Sequence, residues 1–206
     1  MKILALETSA KAVSAAVSED GKILCSGYQD TGLTHSRTLM PIVEHILKNT
    51  GLAVADMDAI AVAAGPGSFT GIRIGVAAAK GLAFAADKPA VGVSTLAAMA
   101  RNVAFCDGLV ICAMDARRQQ VYNALFEAKD GRLTRLTPDR AIALEGLARM
   151  EEYMHRLGLV MDLQTLGVTE DMLESIAEGT FRRSGGYHPP EKAEILAILK
   201  ESMHGR

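Results

Sequence analysis

Glycines alternate with hydroxyl-bearing residues in Gly65-Pro66-Gly67-Ser68-Phe69-Thr70-Gly71, a spacing that lets backbone N–H groups approach an anion. An apolar run precedes the stretch and a helical pattern follows it, so the partial positive charge of a helix N-terminus would add to the attraction for phosphate. Gly65, Gly67, Ser68, Thr70 and Gly71 are therefore candidate phosphate-loop residues. The same glycines equally suit a tight strand-to-helix turn that holds no ligand, because the stretch matches neither a Walker loop nor the dinucleotide GxGxxG. Glu7, Thr8 and Ser9, at the end of the first predicted strand, would place a carboxylate and two hydroxyls where a phosphate-bound metal could be held. No second acid converges on Glu7, and a lone acid at a strand end is more often solvated.

Other chemistries lack their residues. His35, His45, His155, His188 and His204 never fall at i, i+4 and stand near no Cys or acidic pair with ligand spacing, so no metal site is expected. These histidines are read as surface or partner-contact residues. Ser68 has no GxSxG elbow around it, and the sequence nominates no His to activate it. Cys25, Cys106 and Cys112 are odd in number and form no CxxC pair, which leaves them as ordinary buried thiols.

The elements that must position these residues follow from periodicity and punctuation. Residues 2–6, 12–18 and 22–28 read as a three-strand meander. Leu39, Ile42, Val43, Ile46 and Leu47 share a helical face that closes near Gly51, with Pro41 leaving the start or straightness of that helix open. Residues 59–64 form a strand before the glycine-rich loop, and residues 72–86 form a helix after it. That helix carries only Arg73 and Lys80 as charges, so Ile72, Gly75, Val76, Ala79 and Leu82 need burial on more than one side. Either the helix is wholly internal, or one face meets the sheet and the other meets another protein. A strand over 90–93, a helix capped by Ser94 and strands over 109–114, 120–127 and 132–137 come next. Beyond residue 145 only helical patterns remain. One starts at Thr169 and buries Met172, Leu173 and Ile176; another follows Pro190 and buries Ile195, Leu196, Leu199 and Met203. The expected organisation is a first α/β lobe over 1–105, the strands of a partial second lobe over 106–145, and a helical segment over 146–206.

The chain has 206 residues, 49% hydrophobic and 22% charged, with a formal charge of −2. That balance suits one large or two small lobes and lacks the footprint of a stand-alone nucleic-acid binder. The apolar run at Met1 is too short for a signal peptide and meets Glu7, and the longest later run is broken by Lys80, so no membrane segment and a cytoplasmic location are expected. Residues 146–206 hold ten acids against seven bases, whereas the first 145 residues hold fourteen against fifteen.

Ile3-Leu4-Ala5-Leu6-Glu7-Thr8-Ser9, His35-Ser36 before a helix, Gly65-Pro66-Gly67-Ser68-Phe69-Thr70-Gly71-Ile72-Arg73-Ile74-Gly75 and Asp115-Ala116-Arg117-Arg118, taken in order, resemble the TsaB family over residues 1–144. Gln120 departs from the Glu that many members carry. The resemblance implies an actin-like, sugar-kinase-like (ASKHA) fold with a mixed sheet. It also implies a non-catalytic partner of TsaD in forming threonylcarbamoyladenosine beside the tRNA anticodon, with TsaE joining the pair. Transfer RNA would be reached only through the complex. His35, Leu39, Val43, Ile72, Gly75, Val76, Ala79 and Leu82 are then candidate partner-interface residues, a homodimer is expected when TsaD is absent, and no tightly bound cofactor is expected, ATP or ADP being shared with the complex. Where TsaD-like proteins carry an HxxxH metal helix, Thr95 and Met99 stand here, and neither suits iron or zinc. The alternative is an actin-fold enzyme, a small phosphotransferase or a metallopeptidase. Leu157-Gly158-Leu159, Leu166-Gly167-Val168-Thr169-Glu170-Asp171-Met172 and the stretch from Gly185 to Met203 resemble the C-terminal helices of iron-containing alcohol dehydrogenases, without that family's metal ligands or nucleotide-binding part.

Overall fold

Alternation in the first thirty residues dictates a sheet with one buried face. In the computed structural model, which describes residues 1–146, 149, 163–164, 167–179 and 191–204, strands β1 (Lys2–Glu7), β2 (Val13–Glu19) and β3 (Lys22–Gln29) form an antiparallel meander. Its second turn uses Asp20 and Gly21 in the left-handed region. Strands β4 (Ala59–Gly65) and β5 (Ala90–Ser94) add in parallel, giving the order β3-β2-β1-β4-β5. Period two then puts Leu4, Leu6, Val13, Ala15, Val17, Ile60 and Val62 on one face, where Leu39, Val43 and Ile46 of α1 (His35–Thr50) and Ala79 and Ala83 of α2 (Phe69–Ala86) close the core. This is the mixed-sheet α/β lobe that the sequence calls for.

Pro41 does not break α1, which runs through it and stops at Gly51 (φ 67°), with Leu52 N–H donating to the Leu47 carbonyl at 3.1 Å. Helix α2 starts at Phe69, three residues before its periodicity begins, because the Ser68 hydroxyl caps it by accepting Gly71 N–H at 3.3 Å.

A second sheet is centred on β7 (Gln120–Lys129), which pairs with β6 (Gly108–Arg117) along one edge. The strand expected over 132–137 ends at Arg135, and a further strand follows that the sequence did not suggest. Strand β8 (Arg132–Arg135) pairs with one end of β7, Thr137 Oγ1 accepts Leu125 N–H at 2.9 Å, Pro138 intervenes, and β9 (Arg140–Ala143) pairs with the other end. Helix α3 (Thr95–Arg101) packs Leu96 and Ala100 on Cys112, Ala124 and Phe126.

The chain divides into two compact units, Met1–Ala143 and Leu144–Arg206. In the second, a 3-10 turn (Glu170–Met172) that follows Thr169 leads into α4 (Leu173–Gly179), and α5 (Lys192–Glu201) is tied to it by Lys192 Nζ and Glu178 Oε1 at 2.6 Å. Leu173, Ala177, Ile195 and Met203 are buried and Leu196 and Leu199 half-buried, whereas Met172 and Ile176, expected inside, are exposed at 47% and 36%. The 3-10 turn shifts the helical phase, which brings Ala177 inward in place of Ile176. His155, His188, Leu166 and the stretches 157–159 and 185–190 named from the sequence lie outside the described residues.

Candidate functional site

The carboxyl ends of β1 and β4 meet at the glycine-rich loop, and what fills the loop is the chain itself. After Glu7 the turn carries Thr8 and Ser9, both buried. Thr8 Oγ1 donates to the Gly71 carbonyl at 2.8 Å, Ser9 N–H donates to Glu7 Oε1 at 2.5 Å, and the Ser9 carbonyl accepts Ser68 N–H at 2.6 Å. His35, at the start of α1, joins the cluster with Nε2 donating to the Ala10 carbonyl at 2.8 Å.

Each loop glycine has a concrete reason. A Cβ on Gly67 (φ 155°) would collide with the Ser9 carbonyl, one on Gly71 with the Thr8 carbonyl, and one on Gly75 with Thr8 Oγ1. Ser9 Oγ is buried without a partner among the described residues, its Cβ close against the Gly67 backbone. The hollow that these glycines open is thus taken up by Thr8 and Ser9, and the amides of Ser68 and Gly71 already have protein acceptors. Between loop and turn the chain's own atoms are in close contact. The 65–71 loop packs its backbone closely on the Thr8–Ser9 turn at the entrance to α2. Thr70 is exposed beside it and Gly65 half-buried.

Glu7 is half-buried with one oxygen committed to its own turn. Among the described residues no three of His, Cys, Asp and Glu converge as metal ligands. On the face of the first sheet away from α1 and α2, Ala5, Ser14, Ala16 and Ala61 border a hollow of about 390 Å³ that Glu7 and Tyr28 also line. Glu7 is its lone carboxylate, so no acid–base pair forms there. Of the thiols, Cys112 is buried, Cys25 half-buried and Cys106 exposed, the last correcting the expectation of three buried cysteines: Cys106 sits in the loop after α3, where no element covers it. Burial pushes the Cys112 thiol above its ordinary pKa.

The residues that the sequence proposes for a partner surface mostly face inward. Leu39, Val43, Gly75 and Ala79 are buried in the lobe's own core, and His35, Ile72, Val76 and Leu82 are half-buried. A partner cannot rest on the buried four. The outward stripe of α2 is instead Phe69, Arg73, Ala77, Lys80 and Phe84, within an arc of about 80° at 100° per residue. Phe69 is 73% and Phe84 92% exposed, with Arg73 Cζ 4.9 Å from the Phe69 ring centroid. The two phenylalanines share their stripe with the only charges of the helix, a signal the charges alone obscured. Helix α2 is long and apolar enough to cross a bilayer by length and composition, and its small residues Ala79 and Ala83 line the core just described.

Residues 29–172 match the family model of TsaD, tRNA N6-adenosine threonylcarbamoyltransferase. The TsaB protein of Bacillus subtilis, named for tRNA threonylcarbamoyladenosine biosynthesis, is 34% identical over 100% of this chain and 91% of its own length. Its Escherichia coli counterpart is 40% identical over 62% of this chain, which spans only 55% of that relative. The solved structure of YeaZ from Pseudomonas aeruginosa superposes with a TM-score of 0.64 at 35% identity, covering 70% of this chain and 68% of that one. The alcohol-dehydrogenase likeness of residues 146–204 has no support in these matches, since the B. subtilis relative aligns along the whole chain, tail included.

Proposed function

We propose, for a chain that belongs to the TsaB family of tRNA threonylcarbamoyladenosine biosynthesis proteins, that it serves threonylcarbamoyladenosine formation as a non-catalytic partner of a TsaD-like transferase. The observation that carries this reading is the outer face of α2, where two phenylalanines stand exposed on a helix otherwise anchored in the core. Large aromatic side chains left in water beside cations suit a protein interface, whose energetic centre is typically aromatic and Arg-rich. Helix α2 carries no acid at all, so the matching surface would be apolar with carboxylates around it. Met40 and Leu33, exposed on and just before the neighbouring α1, extend the apolar area.

On this reading TsaE joins the pair, tRNA is engaged in the complex, and the same face pairs two copies of the chain when TsaD is absent. Nucleotide, if shared by the complex, is held outside the filled 65–71 loop, and the setting is cytoplasmic. Close packing of Thr8 and Ser9 on the 65–71 loop supports the partner reading over a phosphotransferase.

Titration calorimetry of TsaD into Phe84→Glu tests the proposal. Placing an unpaired charge in an interface centre should weaken association by about 2 kcal/mol or more. Because Phe84 is exposed, the melting temperature should not move. Unchanged affinity in the folded variant removes α2 from the interface.

A further inference from the structure

The β6–β7 hairpin ends in a turn that the partner surface does not use. Its strands pair as far as Arg117 opposite Gln120. Arg117, Arg118 and Gln119 have φ of 63°, 52° and 57°, three consecutive side-chain-bearing residues in the left-handed region. Each Cβ there crowds the following carbonyl, and Asn-Gly or Gly-Gly would turn the chain with less strain. Asp115 fixes the bend, its Oδ1 accepting Arg117 N–H at 2.6 Å.

What the strained turn gains is presentation. Arg117, Arg118, Gln119 and Gln120 are all exposed. Neither Arg117 nor Arg118 belongs to any of the ion pairs among the described residues. Other arginines of the same sheet are engaged: Arg135 with Asp139, Ser94 and the Phe126 ring, and Arg140 with Asn123 Oδ1 at 2.9 Å.

We propose that this turn grips the sugar-phosphate backbone of RNA, adding a phosphate contact to the tRNA-binding surface of the complex; the inference rests on the partner reading above. Adjacent guanidinium groups with five donors each match phosphate oxygens in bidentate fashion, and glutamine amides supply further donors. An acidic protein surface offers similar charge, but a protein interface needs a desolvated apolar centre, and residues 117–120 provide none. The chain's overall charge of −2 explains why the grip is weak alone and counts only where a partner supplies the rest of the basic footprint.

The test is anisotropy of labelled full-length tRNA against the complex with TsaD across a salt series, with TsaD affinity measured separately by calorimetry. Arg117→Ala/Arg118→Ala should weaken tRNA binding about tenfold at low salt and make the salt slope shallower by about 1 per arginine, with TsaD affinity and melting temperature unchanged. Arg117→Lys/Arg118→Lys should keep the slope and lose part of the affinity, because charge stays while the bidentate fork goes. An unchanged tRNA affinity and slope in the intact complex overturns the proposal, as does a loss of TsaD affinity with the slope intact, which would make the turn a protein contact. If the wild-type chain does not bind TsaD, the partner reading falls by itself. The turn is then decided by titrating the chain alone at low salt, where a weaker, less salt-dependent Ala variant supports it and no difference overturns it.

Discussion

At Gly67 and Gly71 the chain removes side chains so that two stretches of backbone can touch, while at Arg117, Arg118 and Gln119 it keeps long side chains where glycine would turn more easily. Both regions depart from ordinary backbone preference, and the departures have opposite ends. In the loop the missing Cβ atoms make room for Thr8 and Ser9, so the unusual residues serve cohesion inside the first lobe. In the turn the retained side chains all point into solvent, so the strain serves contact with something outside. A glycine-rich segment is therefore no more a ligand site by default than an arginine-rich turn is idle.

The sharpest way to break this comparison is Gly71→Val. Its side chain would meet the Thr8 carbonyl, backbone that cannot step aside without disturbing β1, and the loss of stability should be at least about 3 kcal/mol in denaturant unfolding. Gly67→Val should behave alike, adding strain at φ 155°. Either variant folding with wild-type stability would mean that the loop is not filled as described.

A smaller effect of opposite sign is expected at the turn. Gln119→Gly relieves left-handed strain at an exposed position and should stabilise the fold by up to about 1 kcal/mol, less whatever the freer unfolded chain takes back. A destabilised variant would show that Gln119 is held by contacts rather than strained.

The smallest effect concerns the sheet that carries the turn. Burial raises the Cys112 thiol pKa, so the folded state holds this proton more tightly than the unfolded one. Stability from that source is full below the ordinary thiol value and is lost as pH rises through the elevated folded value. Wild type should thus lose slightly more stability than Cys112→Ala between about pH 7 and about pH 10. Equal losses would mean that Cys112 is not desolvated.

Local chemistry in the sequence was enough to determine the meander, the strands on either side of the glycine-rich loop and its helix, the cap at Ser94 and the stop at Gly51. These depend on side-chain alternation, on which residues tolerate a left-handed angle and on which donors lie within a few positions. Pairing β9 with β7, burying Ala177 in place of Ile176 and leaving Cys106 uncovered took the tertiary structure, because each hangs on what packs there from elsewhere in the chain. The same holds for the two decisions that bear on function. Glycine spacing is identical for a phosphate cradle and for a backbone notch, and the packing of Thr8 and Ser9 on the loop from sixty positions away could not be read from it. Helix α2 is apolar almost all round, so periodicity could not say which side meets the sheet; packing of Gly75 and Ala79 against the core decided it and left Phe69 and Phe84 outside.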